Sequence, residues 1–191
     1  MKNLFYKFVL WYGGWSIVNK VPPEIKKCIV IGAPHTSNWD FVYAIPALDK
    51  MGIHKLRYLI KKEFFFWPFT WLFRVTGGIA VDRSKKNDLT ATLKKLIEEK
   101  DELYLLFPPE GTRGRVDRWK TGFYYTSLES NLPIVLGFLD FETRTCGFGK
   151  VVHPTGDFNA DFKVIEDFYK DVKGMNPENY NTSIFITKED K

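Results

Sequence analysis

At 191 residues, 45% of them apolar, the chain is long enough for one domain with a full core and too apolar to be disordered. Its net charge of +5, from 28 basic and 23 acidic side chains intermixed without an arginine-rich arm, argues against nucleic acid as the partner. Cys28, Cys146, His35, His54 and His153 are scattered, which argues against a Cys/His zinc site and leaves a reducing compartment as the default.

Lys2 and Lys7 flank Phe5, Tyr6 and Phe8, and residues 8–19 then carry no charge. That run is too short to span a bilayer, and Gly13-Gly14 interrupts it without a small-residue cleavage site, so neither a spanning helix nor a signal peptide is expected. Trp11, Tyr12 and Trp15 beside lysines suit a membrane interface; the alternative is a helix packed on the protein's own core. The expected division is a membrane-interface helix at 1–23 and a main domain at 24–191.

Residues 28–32 predict a buried strand ended by Ala33-Pro34. His35-Thr36-Ser37-Asn38-Trp39-Asp40 falls in the loop beyond it, and a helix over 41–51 puts Asp40 near the first turn. Residues 55–61 predict a second strand. The stretch 64–73 has seven aromatics in ten residues and predicts a short helix that is apolar on nearly every face. Such a helix is either fully buried or turned partly to lipid, which makes Phe64, Phe65, Phe66, Trp67 and Trp71 candidate acyl-chain or membrane contacts. Gly77-Gly78 leads into a strand at 79–81. Leu89, Leu93, Leu96 and Ile97 recur at helical spacing. A third buried strand, 103–107, stops at Pro108-Pro109. A helix over 122–130 and a strand over 133–138 follow. A hairpin-like turn near Cys146-Gly147 precedes a strand through 148–152. A helix at 162–172 leads into a polar tail, partly helical or disordered. Alternating helices and apolar strands predict an α/β fold with a mostly parallel central sheet flanked by helices.

Polar clusters follow the strands at 35–40, 61–62, 82–83 and 110–113, and parallel strands bring such ends to one edge. A His and an Asp five residues apart can fold together, the carboxylate holding one ring nitrogen and leaving the other as a base. The alternative is a capping Asp beside a surface His. Arg83 and Arg113, beside glycines at loop ends, suit oxyanion binding unless they are simply solvated. Lys61 joins them as a strand-end cation, and Glu110 is suited to orient an arginine or a substrate hydroxyl. Ser37 is the rival nucleophile of a lipid esterase, but it lacks the Gly-x-Ser-x-Gly elbow. A non-catalytic peripheral membrane module accounts for the aromatic patches and the charge, but not for the His/Asp pair beside arginines.

Four stretches in order resemble the motifs of the glycerolipid acyltransferase family, especially the 1-acyl-glycerol-3-phosphate acyltransferases. They are His35-Thr36-Ser37-Asn38-Trp39-Asp40, Gly78-Ile79-Ala80-Val81-Asp82-Arg83, Pro109-Glu110-Gly111-Thr112-Arg113 and Leu132-Pro133-Ile134-Val135. The likeness covers about residues 28–140. Pro34 and Pro108 depart from it, standing where family members often have Asn and Phe. The resemblance implies a glycerol-3-phosphate acyltransferase-like domain that moves a fatty acyl group from acyl-CoA or acyl-carrier protein to a lysophospholipid hydroxyl, giving phosphatidic acid when the acceptor is 1-acyl-sn-glycerol-3-phosphate. Another lyso-lipid, such as an amino-acid lipid, is the alternative acceptor. It further implies His35 and Asp40 as catalytic residues, Arg83, Glu110, Gly111, Thr112 and Arg113 as substrate-binding residues, and no covalent intermediate, metal or cofactor. Attachment is expected to be peripheral or monotopic, on the cytoplasmic face of a membrane.

Overall fold

The computed structural model describes residues 2–67, 69–81, 86–182 and 184. Helix α1 (Lys2–Tyr12) precedes strands β1 (Ser16–Asn19) and β2 (Lys27–Gly32), helix α2 (Trp39–Lys50) and strand β3 (Leu56–Lys61). A 3₁₀ turn (Lys62–Phe64), α3 (Phe69–Thr76), β4 (Gly78–Val81), α4 (Lys86–Glu99) and β5 (Leu103–Phe107) come next. The chain continues through α5 (Gly122–Ser130), β6 (Ile134–Asp140), β7 (Thr145–Val152), α6 (Phe158–Tyr169) and a 3₁₀ turn at Pro177–Asn179.

The strands form one sheet in the order β1-β7-β6-β2-β5-β3-β4. β6, β2, β5, β3 and β4 are mutually parallel, β7 runs antiparallel to β6, and β1 pairs parallel with β7. The expected α/β architecture with a mostly parallel, helix-flanked sheet is what forms. β2 lies between β5 and β6, and Cys28–Ile31 are buried throughout because both faces are covered. Cys28 and Val30 pack with Leu48 and Met51 beside α2, whereas Ile29 and Ile31 join Leu93, Phe123, Phe162 and Ile165 from α4, α5 and α6. Tyr58 pairs in register with Leu106, which faces α2, and Tyr58 bonds Thr76 at 2.7 Å, so α3 lies on the α2 side. Leu10 of α1 packs with Ala47 of α2. Helices α1, α2 and α3 therefore cover one face and α4, α5 and α6 the other.

Three expectations need correction. The helix expected to occupy residues 1–23 ends at Tyr12. Gly14, at φ +67°, closes it in a Schellman turn, with Gly14 N–H donating to Trp11 O and Trp15 N–H to Leu10 O. Trp15 is thereby turned inward, 8% exposed, and residues 16–19 join the sheet as its edge strand. The hairpin turn lies at Phe141–Arg144 and not at Cys146-Gly147, because the Asp140 carboxylate accepts from Glu142 N–H at 3.1 Å and Thr143 Oγ1 at 2.7 Å. The tail does not trail away: Tyr180 and Ile184 are buried in the main core. Residues 185–191 lie outside the described residues.

Candidate active site

The C-terminal ends of the parallel strands form one edge, and the strand order puts the loop after β2 against the loop after β5. The Ala33–Pro34 peptide is cis, and the chain then turns through His35 to reach α2. His35 Nδ1 lies 2.9 Å from Asp40 Oδ2. That oxygen also accepts Ser37 N–H at 3.1 Å, and the carboxylate stands in the first turn of α2, where the helix dipole favours negative charge. An ionised carboxylate only accepts, so Nδ1 carries the ring proton and Nε2 keeps its lone pair. Nε2 has no protein partner among the described residues, and the ring is about a quarter exposed while Asp40 is buried. The two side chains form a bonded pair, not a capping Asp beside an unconnected surface histidine.

Glu110 joins the two loops. Its Oε2 accepts the backbone N–H of His35 at 2.8 Å, and its side chain is 5% exposed. Through this bond it braces the loop that carries His35. Burial pushes its carboxyl up to about 7; the His35 amide opposes this shift and the charge on Asp40 adds to it.

The sign of the linkage gives a stability prediction. Glu110 is protonated more readily folded than unfolded, so its favourable contribution is full below pH 4.5 and is lost as pH rises through about 7. Glu110→Gln removes that titration. Urea unfolding is expected to show the wild type losing stability relative to Glu110→Gln between pH 4.5 and 8, by on the order of 3 kcal/mol. An equal difference at both pH values rejects this assignment.

The chain matches the family model described as Acyltransferase over residues 17–136. It belongs to the acyltransferase family. Proteins named 1-acyl-sn-glycerol-3-phosphate acyltransferase from Limnanthes alba and Limnanthes douglasii are each 31% identical to it over 136 residues, covering 66% of this chain and 46% of theirs. The chain thus spans about half the length of those curated relatives. The crystal structure of the 1-acyl-sn-glycerophosphate (LPA) acyltransferase PlsC from Thermotoga maritima shares the fold, with a TM-score of 0.57 and 18% identity over 88% of this chain and 75% of that one.

Other residues of this candidate site are less evenly placed. Gly111 has φ +71°, which favours glycine, and the Lys120 side chain lies over it, with Nζ 2.6 Å from where a Cβ would stand. Thr112 and Arg113 are exposed at the loop tip. Lys61 reaches the same edge, since Tyr58 pairs with Leu106 and Lys61 follows at the exposed end of β3. Arg83 lies outside the described residues; β4 leads toward it, with Val81 level with Lys61. Lys120 was not singled out by sequence. Its N–H donates to Pro109 O at 2.8 Å, which folds the loop back and lays its ammonium over Gly111. Within a run containing Arg113, Arg115 and Arg118, only this tertiary bond distinguishes it. Among the described residues, no group of three or more His, Cys, Asp or Glu side chains is arranged to hold a metal.

The aromatic stretches divide. Phe66, Trp67 and Trp71 are exposed, Trp67 by 88%, whereas Phe65 is half-buried against Phe73. The side chain of Phe64 falls outside the described set. On α1, Leu4, Phe5, Phe8, Trp11 and Tyr12 form one exposed apolar stripe. No helix among the described residues is long and apolar enough to cross a membrane.

Proposed function

We propose that this chain transfers a fatty acyl group from a thioester donor, acyl-CoA or acyl-carrier protein, to the free hydroxyl of 1-acyl-sn-glycerol-3-phosphate, giving phosphatidic acid. The observation that carries this is the His35–Asp40 pair, bonded at 2.9 Å with Nε2 open, in a member of the acyltransferase family. The names of the Limnanthes relatives support the choice of acceptor. In this mechanism Nε2 takes the proton of the acceptor hydroxyl, whose oxygen attacks the thioester carbonyl. A backbone N–H steadies the oxyanion. The tetrahedral intermediate collapses, the C–S bond breaks, and the departing thiolate takes the proton back from His35. Arg83, Arg113, Lys61 and Lys120 hold the acceptor phosphate. The exposed aromatics rest at the cytoplasmic face of a membrane, and the acyl chain enters beside Phe65 and Phe66.

Purified protein incubated with radiolabelled acyl-CoA or acyl-carrier protein and a panel of lyso-lipids tests this. Labelled phosphatidic acid is expected. Labelling confined to an amino-acid lyso-lipid keeps acyl transfer and rejects this acceptor; label released only as free fatty acid indicates an esterase. The same assay weighs the cations. Arg83→Ala and Arg113→Ala are each expected to raise the acceptor KM by roughly 10–100-fold, the worth of a charge-assisted hydrogen bond, leaving the donor KM near wild type. Equal loss for both substrates rejects phosphate binding.

A further inference from the structure

The family match ends at residue 136, yet a later segment grips both loops of the site. After α6, Phe141 N–H donates to Lys173 O at 2.9 Å, and the chain then runs across the strand ends. Asn176 meets Thr36, the neighbour of His35: its N–H donates to Thr36 Oγ1 at 3.2 Å, and its Nδ2 donates to Thr36 O at 2.9 Å. Gly174 lies so close that a Cβ would stand 2.6 Å from Thr36 Oγ1, and Thr36 is buried beneath it. Farther on, Asn181 Nδ2 donates to Val116 O at 3.2 Å and Asp117 O at 3.0 Å. Arg115 donates to Tyr180 O at 2.9 Å, and Trp119 N–H donates to Ile184 O at 3.1 Å. These bonds fix the 115–119 stretch that carries Lys120 onto Gly111. Buried Tyr180 and Ile184 anchor the segment in the core.

A side-chain amide bonded to a peptide carbonyl fixes that peptide's orientation. The base loop has no regular structure between residues 33 and 37, so its direction depends on such bonds. We infer that residues 174–182, with Ile184, form a clamp that sets where His35 stands relative to the anion loop, with Asn176 positioning the base and Asn181 positioning the acceptor site. This rests on the acyl-transfer reading above.

The two feet of the clamp predict different kinetic losses in the full chain acting on 1-acyl-sn-glycerol-3-phosphate. Asn176→Ala is expected to lower kcat about tenfold with both KM values near wild type, because a displaced base weakens only the transition state. Asn181→Ala is expected to raise the acceptor KM about tenfold with kcat near wild type. Thr36→Val, which removes the Oγ1 acceptor, repeats the Asn176→Ala loss, and Thr36→Ser restores kcat; this pair carries the test if Asn176→Ala fails to fold. Proton NMR supplies a readout independent of turnover. The downfield signal of the His35 Nδ1 proton should shift or vanish in Asn176→Ala and persist in Asn181→Ala. Variants that lower the melting temperature yet leave kcat, KM and this signal at wild-type values overturn the clamp. So do variants that impair the same kinetic constant. If the wild type acylates no lyso-lipid, acyl transfer is rejected, and the NMR signal alone then decides the clamp.

Discussion

His35→Ala is expected to fold like the wild type and to lose acyl transfer by about 10²–10⁴-fold, the usual worth of a general base. The fold should survive because the imidazole is partly exposed and makes one side-chain bond, to Asp40. The brace from Glu110 goes to the backbone N–H of residue 35, which alanine keeps. Asp40 retains Ser37 N–H and the first turn of α2, so its buried charge is not abandoned. Circular dichroism and the melting temperature should therefore stay near wild type while the rate with labelled donor collapses. A folded His35→Ala protein with near-wild-type turnover removes His35 from the mechanism.

The second large effect concerns membrane attachment. Trp11 and Trp15 are four residues apart, but only Trp11 faces out, at 77% exposure. Trp15 packs with Leu10, Ala47 and Cys146, so replacing it costs about 3–5 kcal/mol of stability and reports on folding. The outward pairs are Phe8 with Trp11 on α1 and Trp67 with Trp71 at α3, and both helices cover the same face of the sheet. Each large side chain transferred from water into the interface contributes about 1.5–3 kcal/mol at most, so losing two weakens binding roughly a hundredfold or more. Phe8→Ser/Trp11→Ser and Trp67→Ser/Trp71→Ser are each expected to stay at the bottom of a flotation gradient with anionic vesicles. Both should retain the wild-type melting temperature and activity on a detergent-dispersed short-chain acceptor. Continued flotation of either double variant shows that its stretch is not an anchor.

The sequence by itself determined most of the local elements and the family resemblance. Residues 103–107 and 122–130 form β5 and α5 at the expected positions, because a parallel strand buried on both faces is a continuous apolar run and Pro108-Pro109 ends it locally. The His35–Asp40 pair was legible for the same reason: both partners lie within one loop and one helical turn. What only the tertiary structure decided involves distant parts of the chain. Trp11 and Trp15 have the same side chain, and the Schellman turn at Gly14 with the docking of β1 on β7 sends one outward and the other into the core. Glu110 lies 75 residues from His35 and meets its amide only because β2 and β5 are neighbours, while a bond to Pro109 O draws Lys120 back over Gly111. Asn176, 140 residues from Thr36, shows no pattern of its own. Periodicity and turn chemistry act over a few residues, whereas strand order and the return of the tail are set by burial of the whole core, which no local stretch encodes.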